Sequence, residues 1–306
     1  MSKGLKRFFV ICAAAVCLGL LLSIIGAATG GIQSMSKLGD KYRWFKAGKA
    51  DMTYAHLEDG AEFDAISVKG VSDVTICSGS SDKTRIHYDE NYQPPTFHVE
   101  DGVLTVDFNQ KWNGVMVDLT AGDSMPALEV YVPEGKTLKY IDMDIDYGDI
   151  SLEEAKAENI TIKGDCGDMT LENISAGEIS IENSLGDISM YALEYDHLNV
   201  EASAGDIKGE LLKSKGLHIE NELGDIELQG ELSGTTEITA ESGDVDIETS
   251  LKEADYTVDA DIEAGDLSLG ERVYEYMEQH IKQGSGANLI KIVSELGNVS
   301  IGFGKQ

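Results

Sequence analysis

The sequence predicts an all-β protein, a parallel β-solenoid (β-helix) built from coils of about 19 residues. Two observations lead there. A Gly-Asp pair followed by an apolar residue recurs at Gly148, Gly167, Gly186, Gly205, Gly224 and Gly243, and every step is 19 residues. Within each unit the apolar residues also fall into columns two apart, such as Ile150/Leu152 and Met169/Leu171, or Ile160/Ile162 and Ile179/Ile181. Spacing by two is strand alternation, with one face turned inward. A single coil cannot bury that face alone, so neighbouring coils must stack on it. An antiparallel sandwich could use similar strands but would not need a fixed period.

The chain divides by composition into four stretches: 1–30, a membrane anchor; 31–60, a basic linker; 61–147, an N-terminal β region or cap; and 148–306, the Gly-Asp repeat solenoid. Phe8 to Ala28 is 21 residues without a charge, long enough to span a bilayer as one helix. Residues 8–28 are therefore expected to contact membrane lipid as a retained signal anchor. A cleaved signal peptide is the rival reading, with an unusually long apolar core and a weak cleavage site at Gly26 and Ala28. Lys37, Lys41, Arg43, Lys46 and Lys49 follow the span, so flanking charge does not fix the orientation. A signal anchor made first in synthesis places the C-terminal domain outside the cytoplasm, on a single-pass protein of the cell membrane.

From Phe63 to Val132 the strand signal is less regular. Ser72-Asp73 reads as a degenerate repeat corner, Asp101-Gly102 as a hairpin turn, and Gln93-Pro94-Pro95 as a loop. This region caps or extends the solenoid, because an open first coil would expose a pairing edge. Ile141 and Met143 already occupy the inward columns. After Val245 the period loosens to a corner at Gly265-Asp266. Val273, Tyr276, Met277 and His280/Ile281 then recur at three and four, which predicts a short helical insertion over 271–283. That helix would cover the apolar end of the solenoid or dock a partner. Ile290, Ile292, Leu296, Gly297-Asn298-Val299 and Ile301 restore the coil register once more.

Charge restricts function. Residues 1–50 carry a net +7 and the remainder −38. So acidic a body lacks the basic footprint that nucleic-acid binding requires. It favours solubility and permits divalent cations or basic partners. Stacking places Asp149, Asp168, Asp187, Asp206, Asp225 and Asp244 in one file. At about 4.8 Å, neighbouring carboxylates repel by roughly 3.5 kcal/mol at an effective dielectric near 20, and by about 1 kcal/mol in water. Either each carboxylate accepts turn N–H groups, as in an Asx turn, or cations bridge the file, which makes these six aspartates calcium candidates. No other cofactor is expected.

Catalytic motifs are lacking. The histidines are scattered, with no zinc spacing, and there is no nucleophile elbow or phosphate-binding glycine loop. Cys77 should point outward. Cys166 shares a column with Leu185, Ala204 and Leu223 and reads as a small apolar core residue.

The start Phe63-Asp64-Ala65-Ile66-Ser67-Val68 follows an N-terminal span and precedes serial Gly-Asp-Ile-x-Leu units. Together these resemble the bacterial "putative adhesin" family of unknown function, which includes LiaG-like proteins of Gram-positive bacteria. The resemblance covers Ala61 to Gly302 and implies a membrane-anchored β-solenoid at the cell envelope. It supplies no catalytic residues. The first reading of function is a non-enzymatic envelope or surface protein offering its strand faces to a protein or glycan partner. An accessory regulator of an envelope-stress system is the alternative, and a glycan-active enzyme is a third.

Overall fold

Residues 52–56, 62–79, 84–89, 94–108, 127–275 and 279–304 are described by the computed structural model. They form a β-solenoid in which the strands of the coils pair in parallel with their counterparts one coil away. Ile160, for example, lies beside Ile141 on one side and Ile179 on the other. A coil consists of a long strand, such as Lys156–Cys166, the Gly-Asp corner, and a short strand, such as Met169–Glu172. The inward columns read from the sequence are buried: Ile150, Leu152, Ile160, Ile162 and their equivalents form one continuous core. Gly209 leaves a gap that the Leu212 side chain fills, its Cδ1 only 2.7 Å from where a Cβ would sit.

Three local devices bend the coil. At the first corner Gly167 has φ +145°, and a Cβ there would stand 2.1 Å from the Gly148 carbonyl oxygen below it. Only glycine lets successive corners stack this closely. The second corner uses non-glycine residues in the left-handed region: Glu154, Asn173, Ala192 and Leu211, with φ of 52 to 56°. Left-handed φ costs such residues about 1–2 kcal/mol each. It aims the Glu154 N–H at Glu172 O and the Ala192 N–H at Glu210 O, both at 2.9 Å. The third is a skipped register position, Glu158 against Gly177, where the adjacent Glu158 and Asn159 are both exposed and strand alternation is broken.

The coils are not stacked in chain order at the ends. Ala65–Val71 pairs with both Thr137–Tyr147 and Val103–Phe108, so the first coil lies second. Asn288–Leu296 likewise pairs with both Ile226–Ser242 and Tyr256–Ile262, so the last coil is inserted between two earlier ones. Antiparallel strands then close each end. Thr96–Glu100 and Arg85–Asp89 lie on one terminal coil, and Arg272–Tyr274 and Gln279–Gly284 on the other. The region 61–147 thus both caps and extends the solenoid. Asp101 (φ 51°) and Gly102 (φ 79°) make the expected two-residue hairpin turn.

The helix expected over 271–283 is not there. Arg272–Tyr274 and Gln279–Gly284 are strands pairing with Leu267–Leu269 and Tyr256–Ile262, while 276–278 lie outside the described residues. An exposed coil edge offers unpaired N–H and C=O groups, and satisfying them outweighed a weak three-four periodicity. The apolar run 8–28 and the basic stretch 37–49 also lie outside the described residues. Among the described residues no helix is long and apolar enough to cross a membrane. Every strand and buried core residue described lies between Met52 and Phe303, so the segment Ala50–Gln306 contains the whole of the described core.

Candidate functional site

The six aspartates named as calcium candidates are brought into one file, and the geometry shows what holds them. Asp149 Oδ1 accepts the backbone N–H of Asp168 at 2.9 Å, and Asp168, Asp187 and Asp206 each accept from the next corner at the same distance. Asp225 accepts from Asp244 at 2.8 Å. The file extends beyond the repeat in both directions. Asp73 accepts from Asp149 at 3.0 Å; Asp244 accepts from Asn298 at 2.7 Å; Asn298 Oδ1 accepts from Asp266 at 3.1 Å. Each carboxylate therefore ties its own corner to the next. At the Asp73 end, burial pushes the carboxyl above its ordinary value, against the pull of the Asp149 N–H. Among the described residues no group of three or more His, Cys, Asp or Glu side chains is placed to hold a metal ion.

Behind the corners lies a device that the sequence reading missed. Asn183 points inward and its Nδ2 donates to two successive corner carbonyls, Gly167 O at 3.2 Å and Gly186 O at 3.0 Å. Asn221 repeats this for Gly205 O and Gly224 O at the same distances. One amide has two N–H donors, so one asparagine serves two coils. The intervening positions in this column are small, Gly164, Ala202 and Ala240. The signal was legible as Ile-Glu-Asn at 181–183 and again at 219–221, two periods apart.

The column just before each glycine was expected in the core and is not. Cys166 is half-buried, while Leu185 and Leu223 are 54% and 58% exposed. The backbone turns between the Asn183 column and the glycine, so strand alternation cannot be extended across the corner. Cys77 and Cys166 are both free thiols. Burial, then the Glu153 and Glu129 charges, push Cys77 up to about 11.

The outer surface of the long strands carries the candidate binding site. An open cleft of about 650 Å³ runs across successive coils just after the break in strand alternation at Glu158. Its polar lining includes Asn159, Thr161, Glu178, Ser180, His197, Asn199 and His218. Gly216 makes room in its floor, since a Cβ there would stand 2.6 Å from His197 Nδ1. His218 has Glu220 Oε1 3.1 Å from Nε2 and Glu237 Oε2 4.0 Å from Nδ1. Both ring nitrogens thus face carboxylates rather than a nucleophile. Lys291 pairs with Glu237 and holds its carboxyl below the ordinary value. The site is an open trough in which amide, hydroxyl and imidazole groups stand beside apolar surface from Ile160, Ile179, Leu198 and Leu217, an arrangement suited to an extended ligand with both polar and apolar faces. None of its polar residues stood out in the sequence, because outward positions carry no periodic signature.

Comparison with known proteins bears on the fold. A crystal structure described as a putative adhesin from Bacteroides fragilis aligns with a TM-score of 0.50 at 13% identity, over 82% of this chain and 98% of that one. Another so described, from Parabacteroides distasonis, aligns with a TM-score of 0.41 at 15% identity, over 83% and 98% of the two chains. No curated protein matches the sequence. Residues 63–302 match the Toastrack DUF4097 family, and the chain belongs to that family.

Proposed function

We propose that this protein is a non-enzymatic binding protein of the bacterial cell envelope, anchored by residues 8–28 with its solenoid outside the cytoplasm. The observation that carries the reading is the open cleft of mixed polar and apolar lining on the long-strand face. Corner aspartates and inward asparagines are occupied in holding coils together, whereas Asn159, Thr161, Ser180 and Asn199 of the cleft make none of the corner hydrogen bonds that join the coils. Their side chains repeat at about 4.8 Å along the axis, which suits a linear partner such as a glycan strand. The acidic body disfavours anionic polymers and leaves neutral or amine-bearing glycans as the preferred class. The word adhesin attached to the Bacteroides fragilis structure of the same fold agrees with this reading.

The test is binding of the segment Ala50–Gln306 to insoluble neutral glycans and to isolated cell walls. Saturable binding, weakened in Asn199→Ala/His218→Ala with an unchanged melting temperature, supports the cleft. Binding that these changes leave intact, or none to any glycan, refutes it.

A further inference from the structure

Exposed leucines alternate with small residues along the Gly-Asp edge. Stepping along the axis, Ala204 lies beside Leu223, Leu223 beside Ser242, and Ser242 beside Leu296. Leu185 precedes this run, since the Gly167 and Gly186 N–H groups bond Leu185 O and Ala204 O in turn. Ala264 follows it, bonded by the Gly297 N–H. The alternation survives the out-of-order insertion of the last coil, so it belongs to the stacked surface and not to the chain repeat. Leu185, Leu223 and Leu296 are 54%, 58% and 59% exposed. Core packing does not require them, and three large apolar side chains in one exposed file mark an interaction surface.

The file has a spacing and a charge. Leucines recur every second coil, about 9.6 Å apart. Seven residues of an α-helix rise about 10.5 Å. A helix lying along the edge can therefore place one apolar residue per heptad between successive leucines, above the small residues. One flank is anionic along its whole length and the other from Leu223 onward, with Ser184 and Ser203 before Leu185 and Ala204. Glu222, Glu241 and Glu295 immediately precede the file positions and are exposed, and the aspartate file runs on the other side. Such flanks repel an anionic lipid surface, and a second copy would bring like charges together.

We propose that this edge docks a basic amphipathic helix of a partner protein, its heptad-spaced apolar residues seated between Leu185, Leu223 and Leu296. Lysines and arginines on both sides of that helix meet the acidic flanks. This surface is separate from the long-strand cleft and does not depend on it.

The probe is a labelled three-heptad peptide with leucine at the first and fourth heptad positions and lysine elsewhere, titrated with the segment Ala50–Gln306. A scrambled peptide of the same composition is the control. The patterned peptide is expected to bind at least about tenfold more tightly, and the triple variant Leu185→Ser/Leu223→Ser/Leu296→Ser to lose that margin. Its melting temperature should be unchanged; if it does not fold, Leu223→Ser alone serves as the variant. Equal binding of both peptides, or a margin that survives the leucine changes, overturns the proposal. So does a protein whose leucines instead govern self-association or binding to neutral vesicles with no patterned-peptide preference.

Discussion

The Lys291 ammonium pairs with the Glu237 carboxylate across 54 residues of chain. Lys291 also lies in register with Asp259 on its other side. Had the coils stacked in chain order, Glu237 and Asp259 would be neighbours. The opposite end repeats the arrangement: Lys69 lies in register between Asp107 and Asp144, its Nζ 3.9 Å from Asp144. Like charges directly opposed across strands are destabilising, so each inserted lysine favours the threaded order over the sequential one. Lys291→Glu is expected to lower the melting temperature by a few degrees at low salt, with the deficit narrowing as salt screens it. Hydrogen exchange should localise the loss to residues 288–303.

The inward asparagines give a second prediction. Asn183→Ala removes the donor from two part-buried carbonyls, an expected cost of about 1–2 kcal/mol. Asn221→Ala should cost a similar amount. The two serve different corners, so the double variant should be additive in a denaturant titration.

The first rung of the aspartate file gives a pH prediction. Burial raises the Asp73 carboxyl above its ordinary value in the fold, so ionisation there opposes folding. An amide keeps the accepting oxygen, as Asn298 does further along. Asp73→Asn should raise the melting temperature at neutral pH. The gain should shrink as pH falls through the raised value and vanish below about 3.9, where the carboxyl is protonated in both states.

The repeat was legible because stacking demands it of every coil. Glycine appears wherever a Cβ would strike the corner below, and apolar pairs appear wherever side chains meet inside. Asp73 and Asn298 were legible as outlying corners for the same reason. What was not legible depends on which coils become neighbours. Lys69 and Lys291 read as ordinary surface charges until the threaded order puts carboxylates on both sides of them. Strand capping at Arg272–Tyr274 and Gln279–Gly284 was hidden because its partners are set by the open edge, not by local periodicity. The cleft lies beside a break in strand alternation at Glu158 and Gly177 that has no apolar signature, and the second corner uses residues as unlike as Ala192 and Leu211.

Cys77 supplies a chemical prediction. Its thiol, pushed up to about 11, holds little thiolate at neutral pH. Alkylation of Cys77 by iodoacetamide, followed by peptide mass spectrometry at pH 7.5, should be at least about tenfold slower than that of a free thiol with pKa near 8.5. The rate should keep climbing toward pH 11.

The division between a structural aspartate file and a binding outer face is tested most directly by thermal melting of the Ala50–Gln306 segment carrying Asp187→Asn or Asp187→Ala, with calcium, magnesium or chelator present. If Asp187 Oδ1 serves to accept the Asp206 N–H, Asp187→Asn melts at or above the parent, Asp187→Ala melts below it, and calcium shifts none of them specifically. A calcium-specific rise in the parent that Asp187→Asn abolishes would contradict this and make the file a metal site.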